Sequence, residues 1–277
     1  MNIDPTLGCP CNGRFLVPAF TYDRPPAGET TFDLKSQVYR RRYDRCTMCG
    51  HWFARHDLDL SGLYERDYVE ATYGGLAGMR QKFEAIMALP SEKSDNRGRV
   101  ERVRAFAGDR GVDESKGPRL LDVGAGLGVF PAAMQTKGWH ATALEPDART
   151  LAHLRTVVGL ETLNLPLLQL EAAGIAPFDL ITFNKVLEHV AYPVELLMAA
   201  KALLLQDGLM YVEVPDVAAA AEGPGREEFF IEHLHVFSPV SLAMMSATAG
   251  YRLIRMERLR EPSGKFTLSA FLVACSS

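Results

Sequence analysis

The sequence predicts an α/β protein whose main part is a Rossmann-like, doubly wound sheet of seven strands. From residue 118 onward, short apolar runs alternate with stretches of helical periodicity, which is typical of repeated βαβ units. The first of these runs leads directly into a glycine-rich turn, as ligand-binding turns of such sheets do. Four of the five cysteines lie in the first fifty residues, which indicates a separate small module ahead of the sheet.

Composition divides the chain into three parts. Residues 1–57 contain the paired cysteines, residues 58–117 form a helical lead-in or lid, and residues 118–277 form the sheet domain. With 277 residues, 47% of them hydrophobic, the chain can bury the core of one ordinary domain and a smaller appendage. Because no apolar segment reaches membrane-spanning length and the first ten residues are polar, we expect a cytoplasmic protein with no membrane partner.

The formal net charge of the chain is −4. Proteins that bind nucleic acid through its phosphates usually carry a basic surplus, so this balance argues against an RNA or DNA partner and favours a small molecule. The run from Arg40 to Arg42, flanked by tyrosines, is a candidate basic patch, but Asp33 and Asp44 lie close to it. A solvated strand edge is the favoured interpretation of this run.

The clustered cysteines predict a structural zinc site. Two thiols separated by two residues and followed by Gly50 have the form of a metal knuckle, and the earlier pair is a tighter version of it. Four thiolates complete a tetrahedral site with no open position, and the residues between the pairs suit the short strands of a zinc ribbon. His51 and His56 are possible substitute ligands, although surface roles are favoured for both. The predicted ligands are Cys9, Cys11, Cys46 and Cys49.

The sheet domain is organised around residues 119–146. Residues 120–123 are short and apolar, as expected of a buried parallel strand. Gly124, Ala125 and Gly126 follow, and the missing side chains allow backbone amides to approach a ligand at the start of the next helix. This turn therefore predicts a binding site for a phosphate or a nucleoside.

Acidic residues flank the glycine turn on both sides. Asp122 precedes the first glycine by two residues, and Glu145, followed by Pro146, ends the second strand beside the turn. An acid at that distance commonly accepts hydrogen bonds from ribose hydroxyls. A dinucleotide fingerprint requires a third glycine where this chain has Val129, so a nicotinamide site is disfavoured. The alternative is a glycine turn that only packs the helix on the strand.

Residues 120–129, together with residues 145–147, resemble the class I S-adenosylmethionine (SAM) dependent methyltransferases. The resemblance implies that Gly124 and Gly126 pack against the methionine part of SAM. It also implies that Asp122 orders the loop and the amino group of the ligand, and that Glu145 holds the ribose. The implied cofactor-binding residues are Asp122, Gly124, Ala125, Gly126, Glu145, Pro146 and Asn184.

Asn184 belongs to this set because it ends the fourth predicted strand, residues 178–184, and ligands bind at the carboxyl ends of such strands. The segment after it, residues 186–190, resembles the corresponding segment of ubiquinone-type methyltransferases. Some of those complete a metal site with an acid where this chain has Lys185. Helix capping and packing are therefore favoured over a metal at Glu188 and His189.

The predicted catalytic residues are Glu232, His233 and Tyr73. The aromatic run at residues 229–239 resembles that of sugar C-methyltransferases, where a Glu-His pair is associated with the active site. By that resemblance His233 deprotonates the nucleophile and Glu232 sets its tautomer; the alternative is a structural histidine that ties the loop to the sheet. The lead-in resembles that of sugar and surface-polysaccharide methyltransferases with an N-terminal zinc ribbon, and it places Tyr73 near the cofactor mouth.

Together these features predict a SAM-dependent methyltransferase that acts on a small hydroxylated substrate, a nucleotide-linked sugar, at carbon or oxygen. The rivals are a zinc-ribbon ribosomal-RNA or natural-product methyltransferase, a NAD-dependent sugar-modifying enzyme, and a non-catalytic zinc-ribbon interaction protein. The acidic balance weighs against RNA, and Val129 with the missing Tyr-x-x-x-Lys pair weighs against NAD. The intact acids and glycines around the turn weigh against a non-catalytic protein.

Overall fold

The computed structural model describes residues 15–30, 37–58 and 75–275, and these form two sheets. The smaller sheet is antiparallel and has the order β1-β2-β3-β9. Its strands are β1 (Leu16–Tyr22), β2 (Arg41–Cys46), β3 (Trp52–Arg55) and β9 (His235–Val236). The fourth strand therefore comes from the far end of the chain, beyond most of the main sheet.

The main sheet has seven strands in the order β10-β11-β8-β7-β4-β5-β6. Its strands are β4 (Arg119–Val123), β5 (His140–Leu144), β6 (Glu161–Leu163), β7 (Phe178–Asn184), β8 (Leu204–Pro215), β10 (Tyr251–Arg260) and β11 (Phe266–Ala274). Strands β4 to β8 pair in parallel, and β11 runs antiparallel to both of its neighbours. The predicted seven-stranded α/β sheet with an antiparallel closing hairpin is confirmed.

Seven α-helices are described around this sheet. They are α1 (Gly75–Met87), α2 (Asp95–Asp109), α3 (Val129–Gln135), α4 (Ala148–His153), α5 (Leu167–Leu170), α6 (Pro193–Lys201) and α7 (Pro239–Thr248). Helix α4 continues as a π-helical turn, and short 3₁₀ turns lie at Ser91–Lys93, Glu114–Lys116, Val217–Glu222 and Glu227–Phe229. None of the helices in the described ranges combines the length and apolarity needed to cross a bilayer.

The core lies on both faces of the main sheet because successive strand residues point to opposite sides. Leu120 and Leu180 pack in one apolar cluster with helices α2 and α3. Their neighbours Leu121 and Ile181 pack in the other cluster, with helices α6 and α7. Continuous apolar runs in β4 and β7 are thus explained by burial from both sides.

One predicted helix is longer than the observed one. Periodicity predicts a helix over residues 193–205, ended by Asp207 and Gly208, whereas α6 ends at Lys201 and residues 204–208 already belong to β8. Leu204 pairs with Phe178 of β7, and this ladder outweighs the helical preference of the leucines.

The basic run of residues 40–42 is also not the solvated edge that the sequence suggested. Its residues alternate in burial along β2, so that Arg40 and Arg42 are exposed while Arg41 is only 2% exposed. Arg41 forms an ion pair with Glu29 at 2.6 Å. A strand with one buried face explains why Arg41 is buried while Arg42 is exposed.

Candidate active site

The glycine turn between β4 and α3 lies at the carboxyl edge of the main sheet. Gly124, Gly126 and Gly128 all have positive φ, at 68°, 51° and 76°, which glycine adopts without steric cost. A Cβ at Gly124 would lie 2.7 Å from a methyl group of Val186, whereas no atom of the described residues lies within 4 Å of the Cβ position at Gly126. Gly124 is thus required by packing, and Gly126 faces open space where a ligand can approach.

Asp122 sits beneath this turn and joins two strands. One of its carboxylate oxygens accepts hydrogen bonds from the hydroxyl of Thr182 at 2.6 Å and from the amide of Asn184 at 2.8 Å. Burial raises the pKa of Asp122 to about 6, although both hydrogen bonds favour the ionised form. Among the described residues, the buried Oδ1 of Asn184 has no hydrogen-bond partner. A carboxylate beside this amide oxygen suits an ammonium group, such as the amino group of SAM.

Glu145 lies directly against the glycine turn, as predicted. Its Oε2 accepts a hydrogen bond of 3.1 Å from the backbone N–H of Gly126, and burial raises its pKa. The turn is closed on the same side by the backbone of Ala125 and Gly124, whose N–H groups lie 3.4 and 2.8 Å from the carbonyl of Leu144. Pro146 follows Glu145 and is exposed. The carboxylate of Glu145 is therefore held against the glycine turn.

A second polar cluster follows β7. Ligand atoms of Glu188, His189 and His233 all lie within 4.8 Å of one another, and the two imidazole rings are 4.8 Å apart between centroids. His189 Nδ1 bonds the carbonyl of Glu232 at 2.9 Å, and His233 Nδ1 bonds the carbonyl of Glu228 at 3.0 Å. Because a carbonyl only accepts, each Nδ1 carries the hydrogen, and in the neutral rings each Nε2 carries a lone pair.

The charges in this cluster follow from its burial. Burial, and then the charge of His189, hold the pKa of His233 well below its ordinary value, and burial also lowers the pKa of His189. Burial raises the pKa of Glu188 to about 7, although the charge of Lys185 opposes the change. Both imidazoles are therefore neutral near pH 7 and able to accept a proton.

Lys185 adjoins this cluster and has an unusual backbone. It is the one non-glycine residue with positive φ, at 61°, among those that the structure describes, and such strain commonly marks functional sites. Its ammonium group donates to the hydroxyl of Thr267 at 2.7 Å. Lys185 occupies the sequence position at which some ubiquinone-type methyltransferases have a metal-binding acid. Its ammonium charge acts on Glu188 instead.

The side chain of Glu232 does not set the tautomer of His233, because the short turn at Glu227–Phe229 brings the carbonyl of Glu228 to its Nδ1 instead. Glu188 and His189, for which the sequence favours capping and packing, lie beside His233 in this cluster. Their proximity depends on how the β8–β9 connection folds back, and no spacing in the sequence reports it. Tyr73 lies outside the described residues.

The second cysteine pair has the local geometry of a metal knuckle. Cys46 ends β2, and the backbone N–H of Cys49 lies 3.5 Å from its sulfur. Gly50 has a φ of 72°, and its N–H donates to the carbonyl of Cys46 at 3.0 Å. Both side chains are buried. These two residues fit half of a zinc site; Cys9 and Cys11 lie outside the described residues.

His51 is neither on the surface, as the sequence suggested, nor directed at the cysteines. It is fully buried, its Nδ1 lies 3.1 Å from the hydroxyl of Ser241, and its Nε2 lies 3.1 Å from Nδ1 of His235. Both ring nitrogens are thus engaged with the second half of the chain. His56 is partly buried, so its expected surface position is only partly realised.

Sequence comparisons identify the family. A family model described as a methyltransferase domain matches residues 93–255. The ubiquinone biosynthesis O-methyltransferase of Caulobacter sp. (strain K31) is 39% identical over 102 residues, which cover 35% of this chain and 40% of that protein. The enzyme of the same name from Glaesserella parasuis serovar 5 is 29% identical over 114 residues, covering 38% and 48%. The chain thus spans less than half the length of these curated relatives.

Solved structures show the same fold at low identity. The 1,6-didemethyltoxoflavin-N1-methyltransferase of Burkholderia thailandensis, with S-adenosylhomocysteine bound, matches with a TM-score of 0.53 and 21% identity over 82% of this chain and 96% of that one. The magnesium protoporphyrin IX methyltransferase of Synechocystis PCC 6803 matches with a TM-score of 0.53 and 13% identity over 76% and 98%. Since the family match covers more than half of the chain and the sheet is of this type, the chain belongs to the methyltransferase-domain family, as a class I SAM-dependent methyltransferase.

Proposed function

We propose that this protein transfers the methyl group of SAM to a small hydroxylated acceptor and that His233 takes the acceptor's proton. The observation that carries the proposal is the cluster of Glu188, His189 and His233, in which two neutral imidazoles share one space at the carboxyl edge of the sheet. The two carbonyls hold the rings so that both Nε2 atoms remain lone-pair acceptors in this space.

SAM would bind across the glycine turn. Glu145 would hold the ribose hydroxyls, Gly124 and Gly126 would allow close approach, and Asp122 with Asn184 would hold the amino group. The open space at Gly126 and the buried Oδ1 of Asn184 support this assignment. When bound, SAM would supply a methyl group on a sulfonium, whose carbon a nucleophile can attack with S-adenosylhomocysteine as the leaving group.

The residues of this chain would act on the acceptor. As the acceptor atom bonds to the methyl group and the methyl–sulfur bond breaks, the acceptor's proton passes to Nε2 of His233 and leaves an imidazolium and S-adenosylhomocysteine. The carbonyl of Glu228 bonds the Nδ1–H of that imidazolium. Glu188, when ionised, would stabilise its charge. A buried base of low pKa suits an acceptor proton that is itself acidic.

Two acceptor classes fit such a base. A nucleotide-linked sugar with a keto group has acidic C–H bonds next to that group, and an enediol has acidic O–H bonds. A phenol, with a pKa of about 10 like that of tyrosine, is the second candidate, and the relatives named ubiquinone biosynthesis O-methyltransferases favour it. An ordinary sugar hydroxyl is less acidic than these groups, so His233 would remove its proton less readily.

The other parts of the chain would support the site. Cys9, Cys11, Cys46 and Cys49 would hold a structural zinc ion, for which the buried knuckle at Cys46 and Cys49 is the observed support. Residues 1–57 would form the zinc-ribbon module. Of residues 58–117, helix α2 packs on the main sheet, and the part before it would cover the cleft, with Tyr73 near its mouth. The 118–277 region would carry out the chemistry.

The test is methyl uptake from labelled SAM by a panel of nucleotide sugars and phenols, compared between wild type and two His233 variants. His233→Asn keeps a donor near the Nδ1 position but has no group at Nε2, so turnover should fall by at least about 100-fold while SAM affinity is unchanged. His233→Gln has a polar group near the Nε2 position but none near the Nδ1 position. It therefore controls for the loss of the loop hydrogen bond. Near-normal turnover of His233→Asn would remove His233 from the mechanism, and no binding of SAM by wild type would refute the function.

A further inference from the structure

The segment that carries the proposed base is held from the N-terminal side of the chain. We define the base loop as residues 228–235, from within the 3₁₀ turn at Glu227–Phe229 to the first residue of β9. Three buried side chains, those of Glu29, Arg41 and Tyr43, make hydrogen bonds to main-chain groups of the base loop. None of the three is part of the cofactor edge formed by β4 and β5.

Arg41 and Glu29 hold the first half of the base loop. Arg41 Nη1 donates to the carbonyl of Phe229 at 2.8 Å, and Nη2 donates to Glu29 at 2.6 Å. The same oxygen of Glu29 accepts the backbone N–H of Ile231 at 2.8 Å. The guanidinium also lies 3.8 Å above the ring of Tyr22. One ion pair thus fixes two main-chain groups two residues apart.

Tyr43 holds the residue that carries the base. Its ring is fully buried, and its hydroxyl donates to the carbonyl of His233 at 2.5 Å, with the carbonyl of Phe230 at 3.1 Å. Burial keeps the pKa of Tyr43 well above its ordinary value, so the hydroxyl remains a donor throughout the physiological range.

The end of the base loop is hydrogen-bonded to the segment that follows β7 and to β3. The carbonyl of Glu188 accepts the N–H groups of Leu234 and His235 at 2.7 and 3.2 Å. The N–H of Ala54 donates to the carbonyl of Leu234 at 3.0 Å, next to the β3–β9 pairing. The base loop therefore bridges the N-terminal sheet and the segment that contains Glu188.

We propose that Glu29, Arg41 and Tyr43 are positioning residues for methyl transfer: the N-terminal sheet sets the place of the His233 ring relative to Glu188 and His189. This inference rests on the proposed function. The imidazole has one backbone anchor, the carbonyl of Glu228, within the base loop itself, so its position follows the loop backbone. Misplacement of a reacting group by about 1 Å can cost about 100-fold in rate.

The discriminating experiment compares Tyr43→Phe with Tyr251→Phe. Tyr251 is likewise buried, and its hydroxyl also donates to a main-chain carbonyl, that of Leu197 at 2.8 Å, outside the base loop. We expect Tyr43→Phe to lower kcat about tenfold, to leave SAM affinity unchanged, and to move the acid limb of the kcat profile upward. The limb should move because a loosened loop admits water and returns the pKa of His233 toward its ordinary value. Tyr251→Phe should change none of these.

A double-mutant cycle of Tyr43→Phe and His233→Asn gives an independent test of the inference. In a His233→Asn background, Tyr43→Phe should alter the residual turnover by less than about twofold, since the base that Tyr43 positions is absent. An equal tenfold loss in both backgrounds, or an unmoved acid limb in Tyr43→Phe, would overturn the inference and assign Tyr43 to general stability.

Arg41→Lys covers the case in which Tyr43→Phe fails to fold. It retains a charge for Glu29 but cannot also reach the carbonyl of Phe229, so it should show the same kcat loss and limb shift without loss of SAM binding. A folded Arg41→Lys protein with wild-type turnover and pH profile would contradict the inference. If wild type transfers methyl groups and His233→Asn does not, the proposed function stands whatever these variants show.

Discussion

The side-chain amide of Asn184 donates a 2.8 Å hydrogen bond to the carboxylate of Asp122, across the ends of two neighbouring strands. The parallel register of β4 and β7 places Asp122 opposite Thr182, and Asn184 lies two residues further on the same face. Two polar residues 62 positions apart in the chain thus form one polar surface beneath the glycine turn.

SAM affinity should fall as the pH drops through about 6. The ionised form of Asp122 is the one that attracts an ammonium group, and burial raises the pKa of this carboxyl to about 6. Below that pH a proton must leave before SAM binds, so the Kd should rise about tenfold per pH unit. Calorimetry between pH 5 and 8 measures this dependence.

Asp122→Asn provides the control for that titration, because the pKa of Glu145 is raised as well. The variant should bind SAM weakly, and its remaining affinity should vary little with pH between 5 and 7. A wild-type Kd that is constant from pH 5 to 8 would show that Asp122 does not hold a cationic group.

Gly126→Ala should weaken SAM binding by more than its small loss of stability explains. A Cβ at Gly126 meets no atom of the described residues, but it enters the space assigned to the cofactor. Gly111→Ala is the matched variant, since Gly111 also has positive φ and an open Cβ position but lies between α2 and the amino end of β4. Both should lose about 1 kcal/mol of unfolding free energy, measured by urea titration. Equal SAM affinity in the two variants would place the cofactor elsewhere.

Glu213 should stabilise the fold at neutral pH and lose that effect in acid. Its carboxylate lies 2.6 Å from Arg99 and 2.8 Å from Arg102. Burial alone would raise its pKa, but these guanidinium charges and Lys185 outweigh it and lower the pKa to about 2. Since the folded pKa lies below the unfolded value, the stabilisation is present above about pH 4.5 and disappears as the pH falls toward 2.

Glu213→Gln should therefore lower the free energy of unfolding at pH 7 by about 3 kcal/mol, because it leaves two guanidinium groups without their carboxylate. Its stability should also depend less on pH between 4.5 and 2. Glu261→Gln is the comparison, because Glu261 lies 3.4 Å from Arg102 and burial raises its pKa. Denaturant titrations at several pH values measure the free energy of unfolding of each protein. Equal acid sensitivity of wild type and Glu213→Gln would contradict the prediction.

The purified protein should contain about one zinc ion per chain, a stoichiometry that follows from four thiolates in one closed site. Cys49→Ser should lose the metal and melt at a lower temperature, because zinc binding contributes to folding in small modules. Cys275→Ser should keep it, since Cys275 is exposed and far along the chain from the knuckle. Elemental analysis of the three proteins tests this, and equal zinc in all of them would exclude Cys49 as a ligand.

Much of the cofactor edge was predictable from the sequence. Asp122, Glu145 and Asn184 each end an apolar run, and parallel strands deliver their carboxyl ends to one edge of the sheet. The glycine turn is recognisable because glycine adopts the positive φ angles observed at residues 124, 126 and 128 without steric cost. For these residues a local pattern is enough, since the order of the strands follows from the family resemblance.

The histidine cluster and its support depended on the tertiary structure. No periodicity reveals that the carbonyl of Glu228 holds His233, that Glu188 lies beside it, or that Arg41 and Tyr43 reach the base loop from 187 to 190 positions away. The strands and the ligand-binding turn follow from local chemistry that the sequence displays. The base loop is placed by long-range hydrogen bonds to backbone groups, and backbone groups are the same in every residue, so only the folded chain shows which of them meet.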